Sequence, residues 1–325
     1  GQTASFGFAS MIANPVINVV FLFVTVAVAF LILSRDIQKG LERITKYMMS
    51  ALLVLMLVLA VHSALLDGAA DGLAFYLTPD FSKINGSVIV GAMNQAFFTL
   101  STGMGGMAIF GSYIDKDHSL MGESVNVIVL DTFVAILAGF IIFPACSTYG
   151  LEVNAGPSLL FDTMASVFNH MAGGRIWGTM FFLFMIFAAL STVLGVCENI
   201  LAMVRELTGW SRPKGCIICG TGIFLLALTT ALGYSVIHFQ PFAEGTAWLD
   251  LWDFIVSNNV LPLGSLVLTL FCCNKFGWGW DNFVREANTG RGLKIRPWMR
   301  PVFQYITPVI IAFIYAYGMA TFQWR

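Results

Sequence analysis

The most informative segment of the sequence is NQAFFTLSTGMGGMAIFGSYI, from Asn94 to Ile114. Its first thirteen residues hold five polar side chains and three glycines, inside a segment that is otherwise apolar enough to cross a membrane. Glycine costs about 1 kcal/mol relative to Ala in a helix interior, and an unsatisfied backbone group in hydrocarbon costs several kcal/mol. We therefore predict a helix broken at about residues 101–105, with its opened backbone lining a cavity.

Close packing of helices through small residues is the alternative explanation for the glycines. Packing does not explain why Asn94, Gln95, Thr99 and Ser101 occur together in the same span. Broken helices in secondary transporters use freed carbonyls and half-helix ends to bind ions and charged groups of the substrate. The polar residues therefore favour the broken helix.

Composition places the whole chain in a membrane. Of its 325 residues 58% are hydrophobic and 11% are charged, and the mean hydropathy is +0.81, whereas soluble domains average about 25% charged residues. The net charge of -1 and the lack of a basic tail give no indication of a nucleic-acid partner. No zinc-protease, nucleophile-elbow or phosphate-loop motif occurs, so nothing predicts an enzyme.

Eight stretches meet or approach the roughly 20 apolar residues that a membrane-spanning helix needs. We therefore predict an all-α membrane protein that forms one transmembrane domain over residues 1–325 and lies in the lipid bilayer. The eight predicted spans are Pro15–Leu33, Tyr47–Leu66, Val88–Ile114, Val125–Tyr149, Ile176–Val204, Cys216–Val236, Phe254–Cys273 and Val302–Phe322.

The distribution of basic residues predicts the orientation. The segments after the first, third, fifth and seventh spans hold 14 of the 17 Lys and Arg residues, and short cytoplasmic loops collect such residues. Both ends of the chain are therefore expected to face outward, in a multi-pass protein of the cell inner (plasma) membrane. An outward start at Gly1 without a signal peptide leads us to expect that an odd number of earlier spans precedes it.

Two connecting segments carry patterns of their own. Residues 150–174 place apolar side chains at roughly helical spacing, which predicts either an outer lid or an interfacial helix resting on lipid. Residues 274–300 combine charges and glycines, which indicates a short cytoplasmic surface helix followed by a turn.

Asp131 lies within the fourth span, between apolar residues on both sides. A carboxylate at that depth costs about 2.5 to 3.5 kcal/mol on insertion scales, so it needs a cation or a hydrogen-bond donor as partner. Sodium, with Thr99 as a second ligand, is one partner, and a purely structural hydrogen bond is the other.

The fifth span contains adjacent hydroxyl groups at Ser191 and Thr192. They can offer neutral oxygens to an ion, or bond back to a helix carbonyl four residues earlier; the residues alone do not separate these roles. Glu198, nearer the cytoplasm, is expected to brace the bundle. Cys216 and Cys219 have the spacing of a metal or redox pair, but no further ligands complete a site, so helix packing is the favoured interpretation.

The run from Asn94 to Ile114 closely resembles the sixth span of the neurotransmitter:sodium symporter family. Other stretches match the family in order and extend the resemblance over nearly the whole chain. They are LSRDIQKGLERITKYMM from Leu33, ADGLAFYLTPDFSKI from Ala70, FAALST from Phe187, LDLWDF from Leu249 and YITP from Tyr305.

The resemblance implies an inverted-repeat transporter bundle that imports an amino acid with sodium by alternating access. Eight spans, the family's fourth to eleventh, would be present and its first three absent, so that two sodium sites are expected but both are incomplete. Thr99 and Asp131 would serve the first site. The carbonyl of Ala188 and the hydroxyls of Ser191 and Thr192 would serve the second. An acidic residue at position 131 is similar to the prokaryotic solution, so we expect no chloride requirement.

The resemblance also implies a substrate site and two gates. Phe98 would close over the substrate, and the unwound backbone near Ser101 and Gly103 would contact its main-chain groups. The side-chain pocket would be lined by Met104, Thr192 and Val196. Met104 is slender and deformable, which favours a large apolar or aromatic amino acid. The outer gate would include Gln95 and Asp253, and the inner gate Tyr113 and Glu206.

Two rival functions remain open from the sequence. A sodium-independent or proton-coupled amino-acid permease of the same architecture would use Asp131 as a titrating group. A receptor-like relative would keep the fold and not transport, although the intact hydroxyl and carboxylate residues argue against it.

Overall fold

The computed structural model describes residues 8–35, 38–112, 114–150, 159–171 and 173–322. Within these ranges the protein is helical, and β-type pairing is confined to one isolated bridge between His118 and Arg291. The α-helices are α1 Phe8–Ile12, α2 Pro15–Ser34, α3 Gln38–Ala64, α4 Ala69–Leu77, α5 Gly86–Thr99, α6 Gly106–Ser112, α7 Leu120–Tyr149, α8 Met164–His170, α9 Gly174–Thr208, α10 Arg212–Gly233, α11 Trp248–Ile255, α12 Leu261–Cys273, α13 Trp280–Ala287 and α14 Thr307–Thr321.

Six helical stretches of the described residues are long and apolar enough to cross a membrane. A seventh candidate is the end of α3 together with α4, which are bent against each other by 113°. The third predicted span is not among these stretches, because it is divided into α5 and α6. The predicted all-α membrane class and the broken third span are confirmed.

Several helices extend beyond the apolar stretches that predicted them. Helix α3 begins at Gln38 rather than Tyr47, and α11 begins at Trp248 rather than Phe254. The first turn of α11 is stabilised by the Asp250 carboxylate, which accepts a hydrogen bond from the Ala247 amide at 2.7 Å. Hydropathy detects the part of a helix inside hydrocarbon, whereas helices with satisfied ends continue into the headgroup region.

Contacts divide the chain into two compact units. One comprises the described residues of Gly1–Pro79 and Phe133–His238, and the other those of Asp80–Thr132 and Phe239–Arg325. The first unit has two buried apolar clusters, one joining α3, α7, α8 and α9 and the other joining α2, α9 and α10. In the second unit, a smaller cluster surrounds Trp280 of α13.

A buried ion pair connects three helices of the first unit. Arg212 donates from its two terminal nitrogens to the carboxylate of Glu198, at 2.8 and 3.2 Å, and its Nε donates to the Leu33 carbonyl at 2.6 Å. The pair thereby ties the end of α2 to α9 and α10. This agrees with the bracing role expected for Glu198.

Helix α8 belongs to the predicted lid segment. Its Met164, Val167 and Phe168 are buried in the protein interior, in the cluster that also contains Leu59 of α3. The apolar side of α8 therefore packs on the protein rather than on lipid. Its action as an outer lid stays a prediction.

The surface helix and turn predicted for residues 274–300 are present, and their cytoplasmic location stays a prediction. Helix α13 is followed by Gly290 and Gly292, both with positive φ. This turn pairs with the segment after α6, where Ser119 donates from its amide to the Arg291 carbonyl at 2.9 Å and from its hydroxyl to the Leu293 carbonyl at 2.8 Å.

Candidate ion and substrate site

The break in the third span runs from Leu100 to Gly105. Helix α5 ends with Thr99, and the Thr102 amide donates to the Phe97 carbonyl, five residues back, at 3.0 Å. Helix α6 then begins where the Gly105 carbonyl accepts amides from the next turn at 3.0 and 3.2 Å. The break predicted at 101–105 is therefore observed, with one further residue at its start.

Left-handed backbone marks the break. Gly103 and Gly105 have φ of 82° and 79°, and Ser101 has φ of 50°. Among the described residues Ser101 is the one non-glycine with positive φ, a conformation that costs an L-residue about 1–2 kcal/mol. Such strain persists where the surrounding structure imposes it, and it occurs frequently at functional sites.

Thr99 and Asp131 meet within the second unit. The Thr99 hydroxyl donates to the Asp131 carboxylate at 2.8 Å. This bond supplies the donor that a carboxylate within a span requires. It also brings hydroxyl and carboxylate oxygens together at the edge of the break, and oxygens are the ligands that hard cations prefer. The geometry thus fits both roles that the sequence left open for Asp131.

Other predicted substrate residues lie on either side of Thr99. Phe98 is 55% exposed, so its ring is free to contact a substrate. Gly103 and Met104 belong to the unwound segment, where backbone groups are released from the regular helix pattern. Phe98 thus lies in the last turn of α5, and Ser101, Gly103 and Met104 lie in the irregular segment that follows it; their role in binding a substrate stays a prediction.

The predicted second ion site lies in the first unit, on α9. The Ala188 carbonyl accepts hydrogen bonds from the hydroxyls of Ser191, at 2.8 Å, and Thr192, at 3.2 Å. Both hydroxyls therefore bond back to the helix, and in doing so they gather three oxygens at one point. Val196 lies one turn beyond Thr192 and is 37% exposed.

The predicted gate residues are in varied settings. The Asp253 carboxylate accepts a hydrogen bond from the Ser257 hydroxyl at 2.7 Å and is exposed to solvent, as is Gln95. Glu206 is exposed near the carboxyl-terminal end of α9. Tyr113 lies outside the described residues.

Sequence reasoning missed a polar connection between the third and seventh spans. Asn94 of α5 donates from its side-chain amide to the Asn258 side-chain oxygen at 2.5 Å. Asn258 lies in a π-helical turn at Val256–Val260, between α11 and α12. The sequence signal that could have found it is Ser257-Asn258-Asn259 inside an apolar run, because side-chain amides within a span need hydrogen-bond partners.

No cluster of three His, Cys, Asp or Glu side chains suited to a metal occurs within the described part of the chain. Cys216 and Cys219 are both buried as free thiols in the cluster between α2, α9 and α10. Helix packing, the interpretation favoured by the sequence, accounts for them.

Comparison with known proteins agrees with this architecture. The model of the sodium:neurotransmitter symporter family matches residues 9–325. An uncharacterized sodium-dependent transporter of Bacillus subtilis is 34% identical over 81% of this chain. Another, from Haemophilus influenzae, is 31% identical over 93% of this chain. This chain covers 58% and 65% of the lengths of these two relatives.

A solved structure is similar as well. The crystal structure of MhsT in complex with L-phenylalanine matches with a TM-score of 0.85 and 34% sequence identity. The match covers 95% of this chain and 70% of that one. The fold therefore agrees over nearly all of the present sequence.

Proposed function

Because the chain belongs to the sodium:neurotransmitter symporter family, a family of transporters rather than enzymes, we propose that the protein imports an amino acid together with sodium. The observation that carries this proposal is the hydrogen bond between Thr99 and Asp131 at the broken helix. A sodium ion would take oxygens from these side chains, and Ala188, Ser191 and Thr192 would hold a second ion. Import would proceed by alternating access across the plasma membrane.

The substrate class follows from the unwound segment. Freed backbone groups near Ser101 and Gly103 would bind the charged main-chain groups common to all amino acids. Met104 would face the variable side chain, and its flexible thioether adapts to bulky apolar groups. The phenylalanine bound to MhsT supports a large apolar or aromatic substrate, although it was observed in that protein. Phe98 would cover the bound substrate.

The coupling has a simple physical basis. An ion and a substrate that bind together at mid-membrane stabilise the occluded state, and each charge moved across the field contributes about 2.3 kcal/mol per 100 mV. Asp131 would provide a permanent negative charge beside the ion, so chloride is not expected to be required.

The test is uptake of radiolabelled phenylalanine into proteoliposomes, with the protein expressed from its complete natural reading frame. An inward sodium gradient should drive accumulation, and replacement of sodium by choline should abolish it. Equal uptake in choline would favour the proton-coupled permease. Absence of substrate binding at any sodium concentration would favour the receptor-like alternative.

Asp131→Asn tests the proposed ion ligand. Loss of the charge should raise the sodium concentration for half-maximal uptake by about tenfold or more, because 1.4 kcal/mol of binding energy corresponds to a factor of ten. Asp80→Asn is the matched control, since Asp80 is an exposed aspartate beside Lys83. An unchanged sodium dependence in Asp131→Asn would contradict the assignment.

A further inference from the structure

The break in the third span presses against the start of α12 through a pair of glycines. A Cβ atom on Gly103 would lie 2.2 Å from the Leu261 carbonyl oxygen. A Cβ atom on Gly264 would lie 2.3 Å from the Gly103 carbonyl oxygen. Since both obstructing atoms belong to the backbone, neither can move aside by a change of rotamer. The close approach therefore requires glycine on both sides.

The surroundings of this contact are tightly packed. Leu261 is fully buried and Ser265 is 8% exposed. The Ser265 hydroxyl lies 2.9 Å from where a Gly103 Cβ would stand, and it has no hydrogen-bond partner in the part of the chain that the structure describes. The unwound segment thus rests on a dense surface formed by the first turns of α12.

A second connection holds the helix before the break. The hydrogen bond between Asn94 and Asn258 joins α5 to the π-helical turn that precedes α12. The next residue in that turn, Asn259, donates to the Phe254 carbonyl at 3.0 Å and accepts from the Tyr315 hydroxyl of α14 at 3.1 Å. The turn is therefore itself anchored on both sides, and π turns occur frequently at functional sites.

We infer that Asn258 and Gly264 are positioning residues for the sodium site at Thr99 and Asp131. Thr99 lies in the chain between Asn94 and Gly103, and both of these residues contact the seventh predicted span. Fixing both points fixes the end of α5, and with it the direction of the Thr99 hydroxyl toward Asp131. Neither Asn258 nor Gly264 needs to touch the ion for this role. The inference deepens the proposed sodium coupling and rests on it.

Gly264→Ala tests the inference directly. The added methyl should push the unwound segment away from α12 and displace Thr99, so the sodium concentration for half-maximal phenylalanine binding should rise by about tenfold or more. Binding capacity at saturating sodium should be retained. The matched control is Gly91→Ala in α5, because a Cβ there meets nothing within 4 Å. A purely structural role would lower the melting temperature and leave the half-saturating sodium concentration as it is.

A double-substitution cycle provides a second measurement that does not depend on the folding of Gly264→Ala. Asn94→Leu and Asn258→Leu should each raise the half-saturating sodium concentration, and the double variant should show no more than the larger single effect, since both remove the same hydrogen bond.

The outcomes separate the two proposals. If the natural protein binds phenylalanine in a sodium-dependent way and the folded variants keep the same sodium dependence, this inference is wrong and the proposed function stands. If the natural protein binds phenylalanine equally well with and without sodium, both the proposed function and this inference are wrong.

Discussion

The hydroxyls of Ser191 and Thr192 both donate to the Ala188 carbonyl. At the scale of single residues, this arrangement would allow a regular helix to present the predicted ion site without breaking. A hydroxyl that donates to a carbonyl keeps its lone pairs available as acceptors, so two side-chain oxygens can face an ion beside the carbonyl. The back-bonded state and the ion-binding role are therefore compatible.

Thr192→Val tests this second site. Valine keeps the branched shape of threonine and removes the oxygen, so the sodium concentration for half-maximal uptake should rise by about tenfold. An oxygen dipole facing an ion is comparable with a hydrogen bond to a charged group, about 1.5–3 kcal/mol.

Thr179→Val is its matched control. The Thr179 hydroxyl also bonds back along α9, to the Arg175 carbonyl at 2.6 Å, but it has no predicted ion role. Equal effects of the two substitutions on sodium dependence would argue against an ion at Thr192.

At the scale of whole elements, α4 lies directly on the backbone of α7. A Cβ on Gly72 would be 2.4 Å from the Phe143 carbonyl oxygen and 2.8 Å from the Pro144 Cα. The Tyr76 hydroxyl of the same helix donates to the Ile136 carbonyl at 3.2 Å. Helix α4 is thus held across α7 by close backbone contact and by a hydrogen bond.

Gly72→Ala should separate these two helices. Overpacking of this kind typically costs about 1–3 kcal/mol, so the purified protein should melt several degrees lower in a thermal denaturation assay. Gly222→Ala in α10 is the control, because a Cβ at that position meets nothing within 4 Å. A melting temperature of Gly72→Ala as high as that of the control would show that α4 moves aside without cost.

At the scale of the whole molecule, orientation in the membrane follows from the basic residues. Lys83, with a side chain 80% exposed, is expected outside, and the exposed Lys275 is expected inside. In intact cells a membrane-impermeant maleimide should label Lys83→Cys but not Lys275→Cys, which should react only after permeabilisation. The unsubstituted protein gives the background, which should be low because five of its six cysteines are buried. The reverse labelling pattern would show that the predicted orientation is wrong.

Family membership at this scale agrees with the resemblance recognised in the sequence. The family model covers residues 9–325, and it was the run from Asn94 to Ile114 that indicated the same family. The roles of the individual ion, substrate and gate residues stay predictions, as does the substrate preference.

The membrane class, the approximate positions of the spans and the break near residues 101–105 could all be predicted from the amino-acid sequence. Each of these depends on local properties: the length of an apolar run, the energetic cost of glycine in a helix, and the need to satisfy backbone groups in hydrocarbon. Such properties can be evaluated from neighbouring residues alone.

Contacts between groups far apart in the sequence could be found only in the folded structure. Asn94 is 164 residues from Asn258 along the chain, and no local pattern specifies that their amides pair. The contact of Gly103 with α12 is equally non-local, since it depends on how closely two backbones approach. The π-helical turn before α12 could not be predicted from the sequence either, because a turn with one extra residue has the same composition and hydropathy as a regular turn. Packing between elements decides these features, because it sets which backbones and side chains approach each other.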